Sequence, residues 1–234
     1  MRVLSLIQQA DAPTGTFADV VRDRGDDLVE WIASNGPPPE DPDAFDAALV
    51  FGGAMHVDQD EEHPWLREEA ALLKHLLAAE VPTFGVCLGG QLLAKAAGAS
   101  VGPAPEEEIG WHEVELTSEA RGDPIFGELP ERFRALQWHS YAFELPPGAV
   151  ALANSAVCLQ GYRLGERAWG VQFHPEVDIP ILESWLRHPE ARGRSFDLEP
   201  MESWNRLGRG LAGRFLALAA QLPRRSRRAA TRAS

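Results

Sequence analysis

Before residue 100 the apolar positions fall into two textures. Short unbroken runs, "VLSLI" (3–7), "AALVF" (47–51) and "VPTFGV" (81–86), have the length and composition of buried strands. Helical patterns lie between and after them. Phe17, Val20 and Val21 recur at helical spacing until Gly25 breaks the run. Leu66, Ala70, Leu73 and Leu77 form one stripe with Leu72 and Leu76 beside it, behind Pro64 and an acidic "DEE" that suit a helix start. "LGGQLLAKAAG" (88–98) predicts a helix stopped by Gly98. "GPPPEDPDAFD" (36–46) predicts a loop, because each proline removes a backbone donor and restricts the residue before it.

Beyond residue 100 the runs shorten and turns separate them. "IGWHEVELT", "FRALQWHS", "AVALANS", "CLQGYRLG" and "AWGVQF" predict strands of more antiparallel character. From Ile179 to Leu222 the pattern is mainly helical, with Pro180, Pro189 and Pro200 at boundaries. Strand–helix alternation followed by short strands predicts one α/β domain over 1–222, its central sheet mostly parallel, flanked by helices and carrying an antiparallel extension. Ligands in such folds sit outside the carboxyl ends of the strands. Gly52-Gly53 and Cys87 both fall at such ends.

A chain of 234 residues can bury a core without disulfide or metal staples. Its net charge of −13 speaks against a nucleic-acid or anionic-membrane surface over most of its length. No segment approaches the roughly 18 apolar residues of a membrane span, and "MRVLSLIQQAD" is too short an apolar run for a signal peptide. Cys87 and Cys158 show no zinc or redox spacing and read as free thiols in a reducing cytoplasm. The basic end, 223–234, has five arginines between Arg224 and Arg232 and reads as a solvated, disordered tail. A contact with acidic surface on a partner or a second copy of the chain is the other reading, which leaves a homo-oligomer open.

"GVCLG" (85–89) has the form of a nucleophile elbow, a strand turning sharply into a helix with the nucleophile at the bend. Small neighbours let the backbone approach closely, and a helix N-terminus favours negative charge on sulfur. The competing reading of Cys87 is a packed structural cysteine. A thiol nucleophile needs a base, and the base needs an orienting group. "WGVQFHPEV" places His174 directly after a strand with Glu176 two residues on, which predicts a Cys87–His174–Glu176 triad. The histidines lack metal-ligand spacing, so neither metal nor cofactor is expected.

"FGVCLGGQLLAKAAG" and "GVQFHPEV" together resemble the class I, or triad, glutamine amidotransferases, whose pattern is G-x-C-x-G-x-Q followed late by H-P-E. "LVFGGAMHVDQDEEHPWLREE", "EEIGWHEVELT" and "LQWHSYAFELPPGAVALANS" are similar to stand-alone members near the glutaminase domain of GMP synthase. The likeness covers roughly residues 1–180 and implies a flavodoxin-like fold. It also implies roles: Cys87 attacks the glutamine side-chain amide and forms a γ-glutamyl thioester, His174 moves the proton and Glu176 orients it. The backbone amides of Gly53 and Leu88 would form the oxyanion hole. Gln91, His139 and Gln160 would hold the substrate. Two departures stand out, Ala54 where proline is common and His139-Ser140-Tyr141 where a histidine is usually followed by a small residue and Asp. The second predicts that Tyr141 closes the pocket differently and selects another γ-glutamyl compound.

No nucleotide-binding signature such as G-x-x-x-x-G-K-[ST] is present, so the expected activity is a glutaminase that releases ammonia from glutamine. It would either feed a synthetase partner or work by itself. A γ-glutamyl peptide or conjugate hydrolase with the same triad is the alternative. A non-catalytic binding or redox-sensing relative is the reading of another class.

Overall fold

The computed structural model describes residues 1–188, 191 and 193–223. Pro189 and the arginines from Arg224 to Arg232 lie outside the described residues. One nine-stranded mixed sheet forms the centre. Its strands are β1 (Arg2–Ile7), β2 (Asp27–Ile32), β3 (Ala47–Val50), β4 (Thr83–Val86), β5 (Val101–Leu116), β6 (Arg132–Phe143), β7 (Ala149–Asn154), β8 (Leu159–Leu164) and β9 (Ala168–Val171). They lie in the order β2-β1-β3-β4-β9-β8-β7-β5-β6. The first five are parallel, and from β9 onward every pairing is antiparallel.

The predicted apolar runs become β1, β3 and β4, which are buried on both faces. Their side chains alternate across the sheet. Val3, Leu49, Phe84 and Trp169 enter one core, with Leu49, Phe84 and Trp169 in register. This core is closed by α1 (Thr16–Asp23) and α5 (Met201–Gln221), where Phe84 meets Phe17 at 5.8 Å and Phe215 at 5.5 Å. Leu4, Leu6, Ala48 and Val50 enter the other, under α2 (Trp65–Ala78) and α3 (Leu88–Ala96). The remaining helix, α4 (Ile179–Leu186), follows the His-Pro-Glu segment and is capped by Asp178, whose carboxylate accepts from the Ile181 amide at 3.0 Å. No described helix is long and apolar enough to cross a membrane.

Two strands exceed the sequence expectation. β2, "DLVEWI", is an outer strand with a mixed, half-buried pattern and so lacks the unbroken apolar signature. β5 starts eight residues before "IGWHEVELT", in a proline- and glutamate-rich arm that pairs with β6 through a bulge between Pro103 and Glu108. The long α5, without a clear place from sequence, clamps the end of β9. Trp204 Nε1 donates to the His174 carbonyl at 3.0 Å, and Asn205 Nδ2 to that of Val177 at 2.9 Å.

Candidate active site

Cys87 stands between β4 and α3 with φ +50° and ψ −114°, a left-handed backbone unusual for a residue with a side chain. Such a conformation costs about 1–3 kcal/mol and persists only where the surroundings enforce it. Here the enforcement is close backbone packing. A Cβ on Gly89 would lie 2.2 Å from the Val50 carbonyl oxygen, and one on Gly90 2.7 Å from that of Val171. The start of α3 therefore rests directly on β3 and β9. The Cys87 amide donates to the Val171 carbonyl at 2.8 Å, and its own carbonyl accepts from the Gln91 amide at 2.9 Å.

β9 delivers His174 to the same place. Its amide donates to the Leu136 carbonyl at 2.9 Å, and ring Nδ1 lies 2.9 Å from Glu176 Oε1. The Glu176 carboxylate makes Nδ1 the protonated nitrogen, so Nε2 is the one turned to other work. The chain is thin where these groups meet. A Cβ on Gly52 would lie 3.1 Å from His174 Cε1 and 3.4 Å from Cys87 Cβ. Burial acts to lower the pKa of His174, but negative charge on Cys87 and Glu176 outweighs it and holds the imidazole at about 10.

The other expected residues separate into two groups. Gly53, Leu88, Gln91 and His139 line, with Cys87 and His174, a cavity of about 390 Å³. Leu88 opens α3, where helical geometry leaves backbone amides without intrahelical acceptors. Gly53 sits against Gln8, whose Cβ would be 2.7 Å from a Cβ placed there. Gln91 is buried, its Nε2 donating to the Tyr141 carbonyl at 3.0 Å and to Gln172 Oε1 at 3.2 Å. Gln160 stands apart. It is fully buried outside the cavity lining, accepting from Gln137 at 2.6 Å and donating to Glu108 at 2.8 Å.

Glu108 is the hub that sequence reasoning missed. It faces His139 across the β5–β6 ladder, with Oε2 3.1 Å from His139 Nε2, while His139 Nδ1 lies 3.0 Å from the Tyr141 carbonyl. Burial acts to raise its pKa, but the bonds from His139 and Ser155 win and lower it. Burial and the Glu108 charge together push the Cys158 thiol up to about 12, where it stays protonated. The donor atoms of Glu108, His139 and Cys158 lie within 4.8 Å of one another, a spacing that could take a metal ion. Gln160 Nε2 already engages two of these three groups, 2.8 Å from Glu108 Oε2 and 3.3 Å from Cys158 Sγ. Three neighbouring glutamates at 106–108 look like a solvated charge run, and only strand alternation hints that one turns inward.

Tyr141 also lines the cavity. Its ring stacks on His56 at 3.9 Å, and its hydroxyl donates to Asp58 at 3.2 Å, tying β6 to the loop after Gly53. Gln172, within the "GVQFHPEV" motif, donates to Cys87 Sγ at 3.6 Å. Two indoles, Trp138 and Trp185, complete the wall beside His174.

The chain is similar to known proteins of one family. Residues 27–180, more than half of the chain, match the family described as Glutamine amidotransferase class-I. A glutamine amidotransferase from Thermotoga maritima superposes with a TM-score of 0.85 at 30% identity, covering 95% of this chain and 99% of that one. A glutamine-hydrolyzing GMP synthase subunit from Thermococcus kodakarensis is 40% identical over 132 residues, 55% of this chain and 65% of that protein. A gamma-glutamyl-L-1-hydroxyisopropylamide hydrolase from a Pseudomonas species is 29% identical over 179 residues, 71% of this chain and 60% of that protein. With its mixed sheet, its strained cysteine at the β4–α3 bend and this family match, the chain belongs to the class I glutamine amidotransferases.

Proposed function

We propose that the protein hydrolyses the γ-amide of glutamine or of a related γ-glutamyl amide through a thioester on Cys87. The observation that carries this reading is the meeting of a strained cysteine with a buried histidine–glutamate pair at one cavity wall. The Cys87 thiol gives its proton to His174 Nε2, the sulfur attacks the γ-carbonyl carbon, and the carbonyl π electrons move onto oxygen. The amides of Gly53 and Leu88 receive that negative charge. As the tetrahedral intermediate collapses, the C–N bond breaks and the amine leaves with a proton from His174 Nε2. Water then attacks the γ-glutamyl thioester, His174 takes its proton, and glutamate departs with the thiol restored. Glu176 holds the imidazole in the tautomer that both steps require. Apart from the attacking water, every step uses groups of this chain.

Glutamine is the simplest such amide, and its ammonia would serve a synthetase partner, consistent with the likeness to a glutamine-hydrolyzing GMP synthase subunit. The second reading, a larger γ-glutamyl amide, draws on the likeness to a γ-glutamyl amide hydrolase. The test is glutamate release from glutamine and a panel of γ-glutamyl amides, by the wild-type chain and by Cys87→Ala. Turnover that vanishes in Cys87→Ala is expected on at least one of them. A wild-type chain no faster than Cys87→Ala on every amide would overturn the reading.

A further inference from the structure

We propose that Trp138 and Trp185 form a subsite for the departing amine, which makes γ-glutamyl amides of small apolar amines better substrates than glutamine. This rests on the hydrolase reading above and specifies its substrate class. The departing nitrogen must take its proton from His174, so whatever it carries lies on the His174 side of the cavity. The Trp185 ring stands edge-on to His174 at 4.9 Å and 78°. Trp138 meets Trp185 at 5.7 Å and 80°, and its carbonyl lies 3.9 Å from Cys87 Sγ. Ile109, the cross-strand partner of Trp138, adds a third apolar group to the lining.

These indoles differ from those buried in the core, Trp31 among them at 8% exposed. Trp169 and Trp204 are 0% and 2% exposed, whereas Trp138 and Trp185 are only half-buried and turned to the cavity. Their positions are held from behind. Trp185 Nε1 donates to the Asp11 carbonyl at 2.8 Å, which occupies its one polar atom and leaves hydrocarbon facing the cavity. Trp138 stacks on Phe196 at 5.5 Å and 6°. Beyond α4, His188 lies 2.8 Å from Asp11 and Arg194 3.0 Å from Glu107. Asp11 and Glu107 are the carboxylates of the described cavity lining, and each already faces a partner, so a cationic amine finds no free counter-charge there. Ammonia is too small and too polar to use two indoles and an isoleucine. A short alkyl group on the nitrogen would be desolvated against all three. Because the amine breaks away at this wall, contact with it acts on kcat/KM and sets which amide is chosen.

The experiment compares kcat/KM for glutamine, γ-glutamyl isopropylamide and the cationic γ-glutamyl 2-aminoethylamide in the wild type, Trp185→Ala, Trp185→Phe and Trp138→Leu, with Cys87→Ala as control. The wild type should favour the isopropylamide over glutamine by up to about sixty-fold, the worth of fully burying a three-carbon group. It should also favour it over the cationic aminoethyl amide. The isopropylamide-to-glutamine ratio should fall about ten-fold in Trp185→Ala and remain largely intact in Trp185→Phe. Trp138→Leu probes the same wall from β6 should Trp185→Ala fail to fold. A wild-type ratio at or below one, or a ratio that no tryptophan substitution changes, overturns the subsite and leaves the hydrolase reading standing. Absence of Cys87-dependent turnover on all three amides overturns the hydrolase reading itself.

Discussion

Glu69 offers a direct measure of how the loop at Gly53 is supported. It is wholly buried on α2, and Gln8 Nε2 donates to its two carboxylate oxygens at 2.6 and 2.7 Å. Gln8 in turn underlies Gly53. Burial raises the Glu69 pKa from 4.5 to about 7, against the opposing pull of the Gln8 bonds. The folded chain therefore keeps this proton after the unfolded chain has released it. Its contribution to stability is complete below 4.5 and is lost as pH rises through about 7. The gap between those values, at about 1.36 kcal/mol per pH unit, comes to about 3 kcal/mol. Urea denaturation at about pH 5.5 and about pH 8 spans some 2 kcal/mol of it. Glu69→Gln removes the titration, so the wild type should lose about 2 kcal/mol more than the variant between those two conditions. The lowered pKa of Glu108 acts only below 4.5, outside this window. The raised pKa of His174 acts between 6.5 and about 10, where stability also falls as pH rises, and subtracting the variant removes it. Equal pH dependence in the two proteins would refute the buried-acid argument.

Two further substitutions probe the elbow and the base. Gly89→Ala drives a methyl group against the Val50 carbonyl at 2.2 Å, where neither backbone can retreat, so a loss of about 3 kcal/mol is expected. Differential scanning calorimetry should show this as a Tm lower by roughly 6–12 °C, and a shift below about 2 °C would show that α3 does not rest on β3 so closely. Glu176→Gln removes one of the negative charges that hold His174 protonated, so the pKa of the imidazole should fall and the alkaline limb of the pH–rate profile should move to lower pH. With the tautomer no longer fixed, kcat/KM should drop by roughly two to four orders of magnitude. An unmoved alkaline limb would separate Glu176 from the titration of His174.

The parts legible in the sequence are those whose physics is local. β1, β3 and β4 are buried on both faces and betray themselves as unbroken apolar runs, whereas β2 at the sheet edge keeps Asp27 and Glu30 and hides among helical signals. Cys87, His174 and Glu176 each sit inside a short motif because a strand end and a tight turn fix their geometry within a few residues. Glu108 and His139 become neighbours only through the register of β5 against β6, past a bulge that the sequence does not announce. Gln160, expected at the substrate, stands behind that pair instead, since β8 turns its side chain toward Glu108.

The tryptophan wall combines Trp138 of β6 with Trp185 of α4, a helix at the far edge of the recognisable motifs, and no spacing rule joins them. The division has a chemical reason. Breaking an amide requires groups at bond-length tolerance, which short rigid turns supply and motifs record. Choosing among amines requires only surface of the right polarity, which separate elements can supply by packing. A sequence of this family therefore points to the bond that is cut more readily than to the amine that leaves. The Trp185→Ala ratio reads that second, non-local layer directly.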